Sequence, residues 1–285
     1  MHGTLNHVSY CKSGCVAIGS GSAIAEDWTV KMTLQLEGMS AVVTGSGSGI
    51  GLATARMLAD FGVTVRGLDL TRGELPETMT WIRCDVTKDS EVTDAFAQLS
   101  QHSDSLDIVV NCAGVGAVGS IEDATDDDWT RVYQTNVVGI ARVTAAAMPQ
   151  LRKSASGSVI NICSIAATVG LPDRAVYSAS KGAVLALTKA MAADCIDDRI
   201  RVNCVNPGTA DTPWVDRLLA QAEDPDAERI ALNARQPMGR LVTADEVASA
   251  VCFLASPLQT STTGASLAVD GGMDGLRTRP RAISD

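Results

Sequence analysis

The chain has 285 residues, a length that accommodates one large α/β domain or two smaller domains. Hydrophobic residues make up 46% of the chain and charged residues 20%, which excludes disorder as its main state. Because aromatic residues supply only 4%, we expect a core of Ala, Val, Leu and Ile. The net charge of −10 argues against nucleic acid or an anionic membrane as a partner, since both are polyanions.

Residues 1–31 differ in composition from the rest of the chain. They are rich in Gly and Ser, show no hydrophobic periodicity, and lack the basic start and apolar core of a secretory signal. We expect them to form a disordered N-terminal extension. Met32 opens the segment in which the first strand begins, so an upstream start codon or an added tail would explain the extension. Residues 32–285 are expected to form the folded domain.

From Met32 onward, short β-branched runs alternate with longer segments of helical periodicity. The predicted strands are Ser40–Thr44, Val63–Asp69, Trp81–Asp85, Leu106–Asn111, Ser158–Cys163, Ile200–Val205 and Ser266–Val269. The predicted helices include Ile50–Phe61, Ser90–Ser100, Asp127–Leu151, Ala175–Asp194 and Ala244–Leu254. The strand runs lack polar alternation, which indicates burial on both faces of a parallel sheet. We therefore predict a single α/β domain, doubly wound around a parallel seven-stranded sheet of Rossmann type.

The cysteines favour free thiols in a cytoplasmic protein. Five of the eight lie in or beside short apolar runs, where a reduced cysteine packs as a small hydrophobic residue: Cys84, Cys112, Cys163, Cys204 and Cys252. Cys11, Cys15 and His7 lack the spacing of zinc ligands, so no metal site is predicted. The acidic residues between positions 122 and 128 are interpreted as a helix N-terminus rather than a metal site.

A glycine-rich turn joins the first predicted strand to the first predicted helix and reads TGSGSGIG over residues 44–51. Such a turn lets the backbone approach a pyrophosphate, and the following helix offers unpaired N–H groups and a positive dipole. The second predicted strand ends at Asp69, whose carboxylate can accept hydrogen bonds from both ribose hydroxyls of an adenosine. Because this carboxylate would repel a 2′-phosphate, NAD is predicted in preference to NADP. Arg66 and Arg72 lie nearby in sequence and could instead bind such a phosphate.

A second group of residues indicates acid–base chemistry. Tyr177 and Lys181 are four positions apart in a predicted helix, so their side chains share one face. A phenol is a weak base at neutral pH, and an adjacent ammonium favours its ionised form. Ser164 follows a strand at the carboxyl edge of the sheet, where its hydroxyl can hold the substrate oxygen. The alternative is a solvent-facing Tyr/Lys pair without a chemical role.

Together these motifs resemble the short-chain dehydrogenase/reductase family over about Leu34 to Met273. Residues 111–114, NCAG, are similar to the family's NNAG, with Cys112 in place of its second Asn, and Cys163 stands where many members have a serine. The resemblance implies a catalytic tetrad of Asn136, Ser164, Tyr177 and Lys181. It implies cofactor contacts from Gly45, Ser48, Gly49, Ile50, Asp69, Asp85, Val86, Asn111, Ala113, Gly114, Tyr177, Lys181, Pro207, Gly208 and Thr212.

The resemblance also implies what the protein does. It implies hydride transfer between NAD(H) and a secondary alcohol or ketone, in a cytoplasmic homotetramer built through the helices at 127–151 and 175–194 and the last strand. Its small-molecule substrate would lie under a lid at about residues 209–240. Within the family, the lid and Arg174 are similar to a branch that oxidises 2-keto-3-deoxy-L-fuconate or 3-hydroxybutyrate.

The substrate site is predicted to comprise Ser164, Arg174 and Arg235. An arginine three residues before Tyr177 can pair with a carboxylate through two hydrogen bonds, which would suit a hydroxy acid or a deoxy sugar acid. The alternative for both arginines is an ordinary surface position. Two other functions stay open: a 3-oxoacyl thioester reductase that uses NADPH, and a non-catalytic cofactor-sensing protein on the same fold.

Overall fold

The computed structural model describes residues 34–278, except residues 102 and 221. The expected extension, residues 1–31, lies outside the described residues. From Leu34 onward the chain folds as one α/β unit. None of the described helices is long and apolar enough to cross a membrane.

The described chain alternates strands and helices as predicted. The strands are β1 (Ser40–Thr44), β2 (Thr64–Asp69), β3 (Thr80–Arg83), β4 (Ile108–Asn111), β5 (Ser158–Ile162), β6 (Arg201–Pro207), β7 (Ala210–Asp211), β8 (Val242–Thr243) and β9 (Ser266–Val269). The helices are α1 (Gly49–Asp60), α2 (Asp89–Ser100), α3 (Asp126–Tyr133), α4 (Gly139–Leu151), α5 (Ala175–Asp194), α6 (Pro213–Leu219), α7 (Pro225–Ala234) and α8 (Ala244–Ala255).

Seven of these strands form one parallel sheet in the order β3-β2-β1-β4-β5-β6-β9. This order confirms the predicted doubly wound, seven-stranded sheet. From β1 the chain proceeds outward to β3, and it then returns to the other side of β1 and proceeds outward again from β4 to β9. A crevice forms at such a reversal, beyond the carboxyl ends of the two central strands. The fold therefore places a binding cleft between the ends of β1 and β4.

Aliphatic residues fill the space on both faces of the sheet. Successive side chains of a strand point to opposite faces, and the two central residues of β1 illustrate this. Val43 packs in a cluster with residues of α1 and α8, whereas Val42 packs with residues of α2 and α4. Both valines are fully buried. Burial on both faces explains why the strands read as continuous apolar runs.

The structure departs from the prediction in one helix. The predicted helix Asp127–Leu151 is interrupted between α3 and α4 by a π-helical turn, Gln134–Val138, in which the Gly139 N–H donates to the Gln134 carbonyl five residues earlier. Apolar periodicity continues through this turn, so the sequence pattern does not reveal it. π-Helical turns are often associated with functional sites. This one contains Asn136.

Candidate active site

A cleft of about 590 Å³ lies at the carboxyl edge of the sheet, at the reversal between β1 and β4. The structure brings most of the predicted site residues to its walls. Those lining it are Gly45, Ser48, Gly49, Ile50, Asp69, Asp85, Val86, Ala113, Gly114, Ser164, Arg174, Tyr177, Lys181, Pro207, Gly208, Thr212 and Arg235. Asn111 and Asn136 are not among the lining residues.

The turn after β1 is shaped to accept an anionic group. Gly45 has a φ of +66°, and a Cβ at this position would lie 2.9 Å from the backbone nitrogen of Ala113. A Cβ on Gly51 would overlap the Gly45 carbonyl oxygen. Ser48 precedes α1 but makes no side-chain capping bond, and the first turn of α1 contains no acidic residue. Among the described residues, the first N–H groups of α1 therefore have no side-chain cap and are available to a pyrophosphate.

Asp69 stands beside the turn at the end of β2. Its carboxylate accepts the N–H of Gly47 at 2.9 Å and the N–H of Thr71 at 3.3 Å. Arg72, which the sequence left open as a phosphate ligand, donates instead to the carbonyl oxygens of Leu75 at 3.3 Å, Pro76 at 2.9 Å and Met79 at 3.1 Å. Its guanidinium is committed to the loop between β2 and β3.

Asp85 and Cys112 line the same part of the cleft. Burial acts to raise the pKa of Asp85, but hydrogen bonds from Thr87 outweigh it, and the pKa of this carboxyl lies below its ordinary value. The Thr87 hydroxyl donates to Asp85 at 2.7 Å. Burial raises the pKa of the Cys112 thiol to about 12. At neutral pH the cleft thus contains an ionised carboxylate at Asp85 and a neutral thiol at Cys112.

Ser164, Tyr177 and Lys181 all line the cleft. Ser164 follows β5 and caps a short 3₁₀ turn, where its hydroxyl accepts the Ala166 N–H at 3.1 Å. The Lys181 ammonium lies 5.7 Å from the centre of the Tyr177 ring, as expected for residues four apart in α5. It donates to the Ile162 carbonyl oxygen at 2.8 Å. Because one proton of the buried ammonium is used by Ile162, its other protons can serve a ligand.

Cys163, which stands where many family members have a serine, is hydrogen-bonded to α5, the helix that carries Tyr177 and Lys181. Cys163 donates from Sγ to the carbonyl oxygen of Lys181 at 3.2 Å. The substitution therefore leaves a bond between the end of β5 and α5.

Asn136 is buried behind the cleft and shapes its wall. Its amide nitrogen donates to the Val115 carbonyl at 2.9 Å and to the Ser180 hydroxyl at 3.1 Å, while its oxygen accepts the Val115 N–H at 2.8 Å. Ser180 in turn donates to the carbonyl of Tyr177 at 2.7 Å. A Cβ on Gly114 would lie 3.3 Å from the Asn136 oxygen and 3.8 Å from the Lys181 nitrogen. Asn136 thus links the loop after β4 to the helix that carries Tyr177 and Lys181.

Asn111, predicted as a cofactor contact, does not line the cleft. Its side chain is buried and donates to Thr144 at 3.1 Å and to Asn161, its partner in β5, at 2.9 Å. The side chain therefore supports the floor of the cleft, and the predicted contact with a cofactor stays a prediction.

Comparison with known proteins shows what this arrangement is similar to. Residues 45–274 match a family model described as enoyl-(acyl carrier protein) reductase. The chain is 36% identical over 256 residues to 2-(S)-hydroxypropyl-CoM dehydrogenase 3 of Xanthobacter autotrophicus, covering 86% of this chain and 100% of that one. It is 37% identical over 242 residues to cis-4-hydroxycyclohexanecarboxylate dehydrogenase of Sinomonas cyclohexanicum, covering 81% and 95%. The ligand-free structure of Thermoplasma acidophilum aldohexose dehydrogenase has a TM-score of 0.81 and 32% identity, covering 86% of this chain and 98% of that one.

The chain belongs to the short-chain dehydrogenase/reductase family. It is accordingly an oxidoreductase acting on CH–OH groups with a nicotinamide cofactor.

The cleft of this short-chain dehydrogenase/reductase is lined by three arginines, Arg174, Arg217 and Arg235. Burial lowers the pKa of Arg174, and the nearby Arg235 guanidinium lowers it further. Arg174 donates to the Asp173 carbonyl at 3.0 Å, and among the described residues neither Arg174 nor Arg217 has a carboxylate within ion-pair distance. Arg235 lies 3.9 Å from Glu228. The cleft is therefore lined by more cationic than anionic side chains.

Arg217 and Trp214 were not predicted as site residues. Both lie in α6, a short helix within the predicted lid, and both line the cleft, whereas Val215 and Leu219 of the same helix are buried. The i, i+3 spacing of Trp214 and Arg217 was the signal available in the sequence, because it places both on one helix face.

We use the name cover segment for residues 209–240, which contains α6 and α7. Its first part contacts both sides of the cleft. Thr212 would lie 3.6 Å from a Cβ on Gly49, in the turn after β1, and the Trp214 indole would lie 3.0 Å from a Cβ on Gly116, in the loop after β4. The cover segment thus reaches from one wall of the cleft to the other.

Proposed function

We propose that this protein is an NAD-dependent dehydrogenase that oxidises the secondary alcohol of a hydroxy acid. The observation that carries the proposal is the group of three arginines that line the same cleft as Tyr177, in a chain whose net charge is −10. Arginines in a cleft bind a carboxylate through charge-assisted hydrogen bonds. Arg174, which has no ion-pair partner among the described residues, retains the donors not used by the Asp173 carbonyl for a substrate.

The surroundings of Asp69 support NAD over NADP. The cleft residues near Asp69 include no Lys or Arg among the described part of the chain: they are Leu68, Leu70, Cys84, Asp85, Val86 and Thr87. Arg72 is held by three carbonyl oxygens, and Arg66 does not line the cleft. A 2′-phosphate would therefore meet the Asp69 carboxylate without a cation to offset the repulsion.

The chemistry assigned to the chain's own residues is an acid–base reaction. When bound, NAD⁺ supplies the acceptor for the hydride. Ser164 holds the substrate oxygen, and the Tyr177 phenolate removes the hydroxyl proton. The Lys181 ammonium stabilises that phenolate and has protons free for the nicotinamide ribose. Asn136 keeps the loop after β4 in register with α5, so that the proton acceptor and the cleft wall stay fixed relative to each other.

The relatives support a secondary alcohol as the reacting group. The Sinomonas cyclohexanicum enzyme is named for a hydroxylated carboxylate, which is the class proposed here. A 3-oxoacyl thioester reductase would be expected to use NADPH, and the surroundings of Asp69 do not favour that cofactor. The cytoplasmic homotetramer implied by the family resemblance stays a prediction.

Replacement of Arg174 tests the proposed substrate class. Loss of a charge-assisted pair costs about 1.5–3 kcal/mol, so Arg174→Met should raise KM for the best hydroxy acid by roughly 10- to 150-fold. The matched control is Arg229→Met, since Arg229 lies in the same cover segment but pairs with Asp211 at 3.0 Å and does not line the cleft. Its KM should be nearly unchanged.

The assay follows NADH formation over a panel of hydroxy acids, sugar acids, neutral alcohols and free sugars. If neutral alcohols or sugars are the better substrates, or if Arg174→Met affects acidic and neutral substrates equally, the acidic-substrate proposal is wrong. Preference for NADP⁺ in the same panel would separately overturn the proposed cofactor.

A further inference from the structure

Gln236 has an unusual position at the end of α7. The side chain is only 1% exposed although it is a polar amide, and it directly follows Arg235, which lines the cleft. Its nitrogen donates to the carbonyl oxygen of Thr209 at 3.2 Å and to that of Arg240 at 2.8 Å. These two carbonyls belong to the two ends of the cover segment. A single buried amide therefore joins the start of the segment to its end.

Other bonds fix each end of the cover segment to the body of the protein. The Val242 N–H donates to the Thr209 carbonyl at 3.1 Å, and β7 pairs with β8. Arg240 binds both carboxylate oxygens of Glu246 in α8, at 2.6 and 2.9 Å. The ends are thus held near each other by the fold, and Gln236 adds a direct side-chain link between them.

The acceptor side of the same amide is left without a partner. The Gln236 oxygen is buried and has no hydrogen-bond partner within the described part of the chain, and a Cβ on Gly208 would overlap it. Gly208 lines the cleft next to Pro207, so this glycine leaves the space that the amide oxygen occupies. A buried polar atom without a partner destabilises a fold and calls for an explanation. The NH₂ group of the amide donates both hydrogen bonds, so position 236 requires a hydrogen-bond donor. The amide oxygen is left without a partner because it accompanies that NH₂ group into the buried site.

We propose that Gln236 is a positioning residue for the substrate side of the reaction. By adding a direct link between the two ends of the cover segment, which the β7–β8 pairing already brings together, its amide sets the position of Arg235 and of α6, with Trp214, over the cleft. The inference rests on the proposed function only in that the covered cleft is taken to be the substrate site. Loss of the amide should weaken substrate binding while leaving the acid–base group at Ser164, Tyr177 and Lys181 intact.

The test compares two buried glutamines. Gln150 in α4 is 7% exposed, donates from its nitrogen to the Ser103 carbonyl at 2.9 Å and also has an oxygen without a partner, but it does not line or adjoin the cleft. Gln236→Met and Gln150→Met therefore remove the same kind of interaction at similar burial. Both should lower Tm, whereas only Gln236→Met should raise the substrate KM, by about tenfold with kcat changed less than about threefold.

Gln236→Glu provides a second variant in case the Met variant does not fold. Its carboxylate has the same size but can only accept hydrogen bonds, so it would face two carbonyl oxygens and should raise KM at least as much. If the Gln236 and Gln150 variants have the same KM and lose the same amount of Tm, the proposal is overturned. Gln236 then has a structural role alone.

A readout without substrate separates this inference from the proposed function. Proteolytic cleavage within residues 209–240 of the full chain should be about tenfold faster in Gln236→Met than in Gln150→Met, since cleavage follows the population of the opened segment. If cleavage is faster but no hydroxy acid is turned over, the positioning role stands and the substrate class is wrong. If cleavage rates match, the positioning role is wrong whatever the substrate.

Discussion

The preference for NAD is expected to depend on the charge of Asp69, and an isosteric change can isolate that charge. Asp69 has a second task, because its carboxylate accepts the N–H of Gly47 in the glycine-rich turn at 2.9 Å. Asp69→Asn keeps an oxygen for that bond and removes the negative charge. Asp69→Ser removes the charge and is too short to keep the bond. Comparison of the two variants separates repulsion of a 2′-phosphate from support of the turn.

The expected size of the effect follows from the site. A carboxylate about 5 Å from a phosphate of charge near −1.5 opposes it by roughly 1–3 kcal/mol at the edge of a water-filled cleft. In the described part of the chain no Lys or Arg from β2, β3 or the loop between them lines the cleft, and the Arg72 guanidinium donates to carbonyl oxygens of that loop. Asp69→Asn should therefore lower the ratio of kcat/KM with NAD⁺ to kcat/KM with NADP⁺ by about 5- to 150-fold. Asp69→Ser should lower the same ratio and also weaken the binding of both cofactors.

The assay measures both cofactors with one alcohol, together with NADH affinity by fluorescence. If the parent protein has the same kcat/KM with NAD⁺ as with NADP⁺, Asp69 does not select between the two cofactors. An unchanged ratio in Asp69→Asn would show that shape, rather than charge, excludes the 2′-phosphate.

Three further predictions test other parts of the molecule. Tyr177→Phe should lower turnover by at least about 100-fold while NADH still binds, because the proton acceptor is lost and the ring is kept; near-normal turnover would refute its role as the base. The hydrogen bond from Arg240 lowers the pKa of Glu246 from 4.5 to about 2, so this carboxylate contributes stability above pH 4.5 that is lost as the pH falls towards 2. Glu246→Gln should therefore lower Tm at pH 7 but not near pH 2, and an equal loss at both values would contradict the assignment. Gly116→Ala should raise the substrate KM by pushing the indole away, and Trp214→Phe in the same chain should restore part of it; no restoration would mean that the two residues do not act together.

The sheet was predictable because its strands are apolar on both faces, but the strand ends were not. Leu106 was placed in the fourth strand, yet β4 begins at Ile108. Leu106 is buried like a strand residue, but its N–H donates to the Gln150 carbonyl of the helix layer rather than to a neighbouring strand. The apolar character of a residue indicates that it is buried, but it does not indicate which carbonyl accepts the hydrogen bond from its backbone N–H group.

The sequence predicted the site well where a motif fixes the backbone geometry. It predicted the site less well where the role of a long side chain depends on which hydrogen-bond partners lie near it. The glycine-rich turn and the Tyr177–Lys181 pair lie in the cleft because turn shape and helix spacing place them there. Arg72 stood near the expected phosphate in sequence, but the carbonyls that hold it come from a loop whose path the sequence does not reveal. Gln236 had no motif at all, since its role depends on two carbonyls that are distant in sequence and adjacent in space.

The π-helical turn at Gln134–Val138 limits how the length of this helix can change. It accommodates one more residue than a regular α-helix would between α3 and α4. Deleting a single residue from this turn would restore regular hydrogen bonding, whereas deleting one from α3 or α4 would rotate the residues on its two sides relative to each other by about 100°. Buried residues of α4 such as Val143 would then leave the core, or Asn136 would leave its contacts with Val115 and Ser180. Within α3 and α4 the chain can therefore exchange side chains, while an insertion or deletion would separate the packing of the helix from the wall of the cleft.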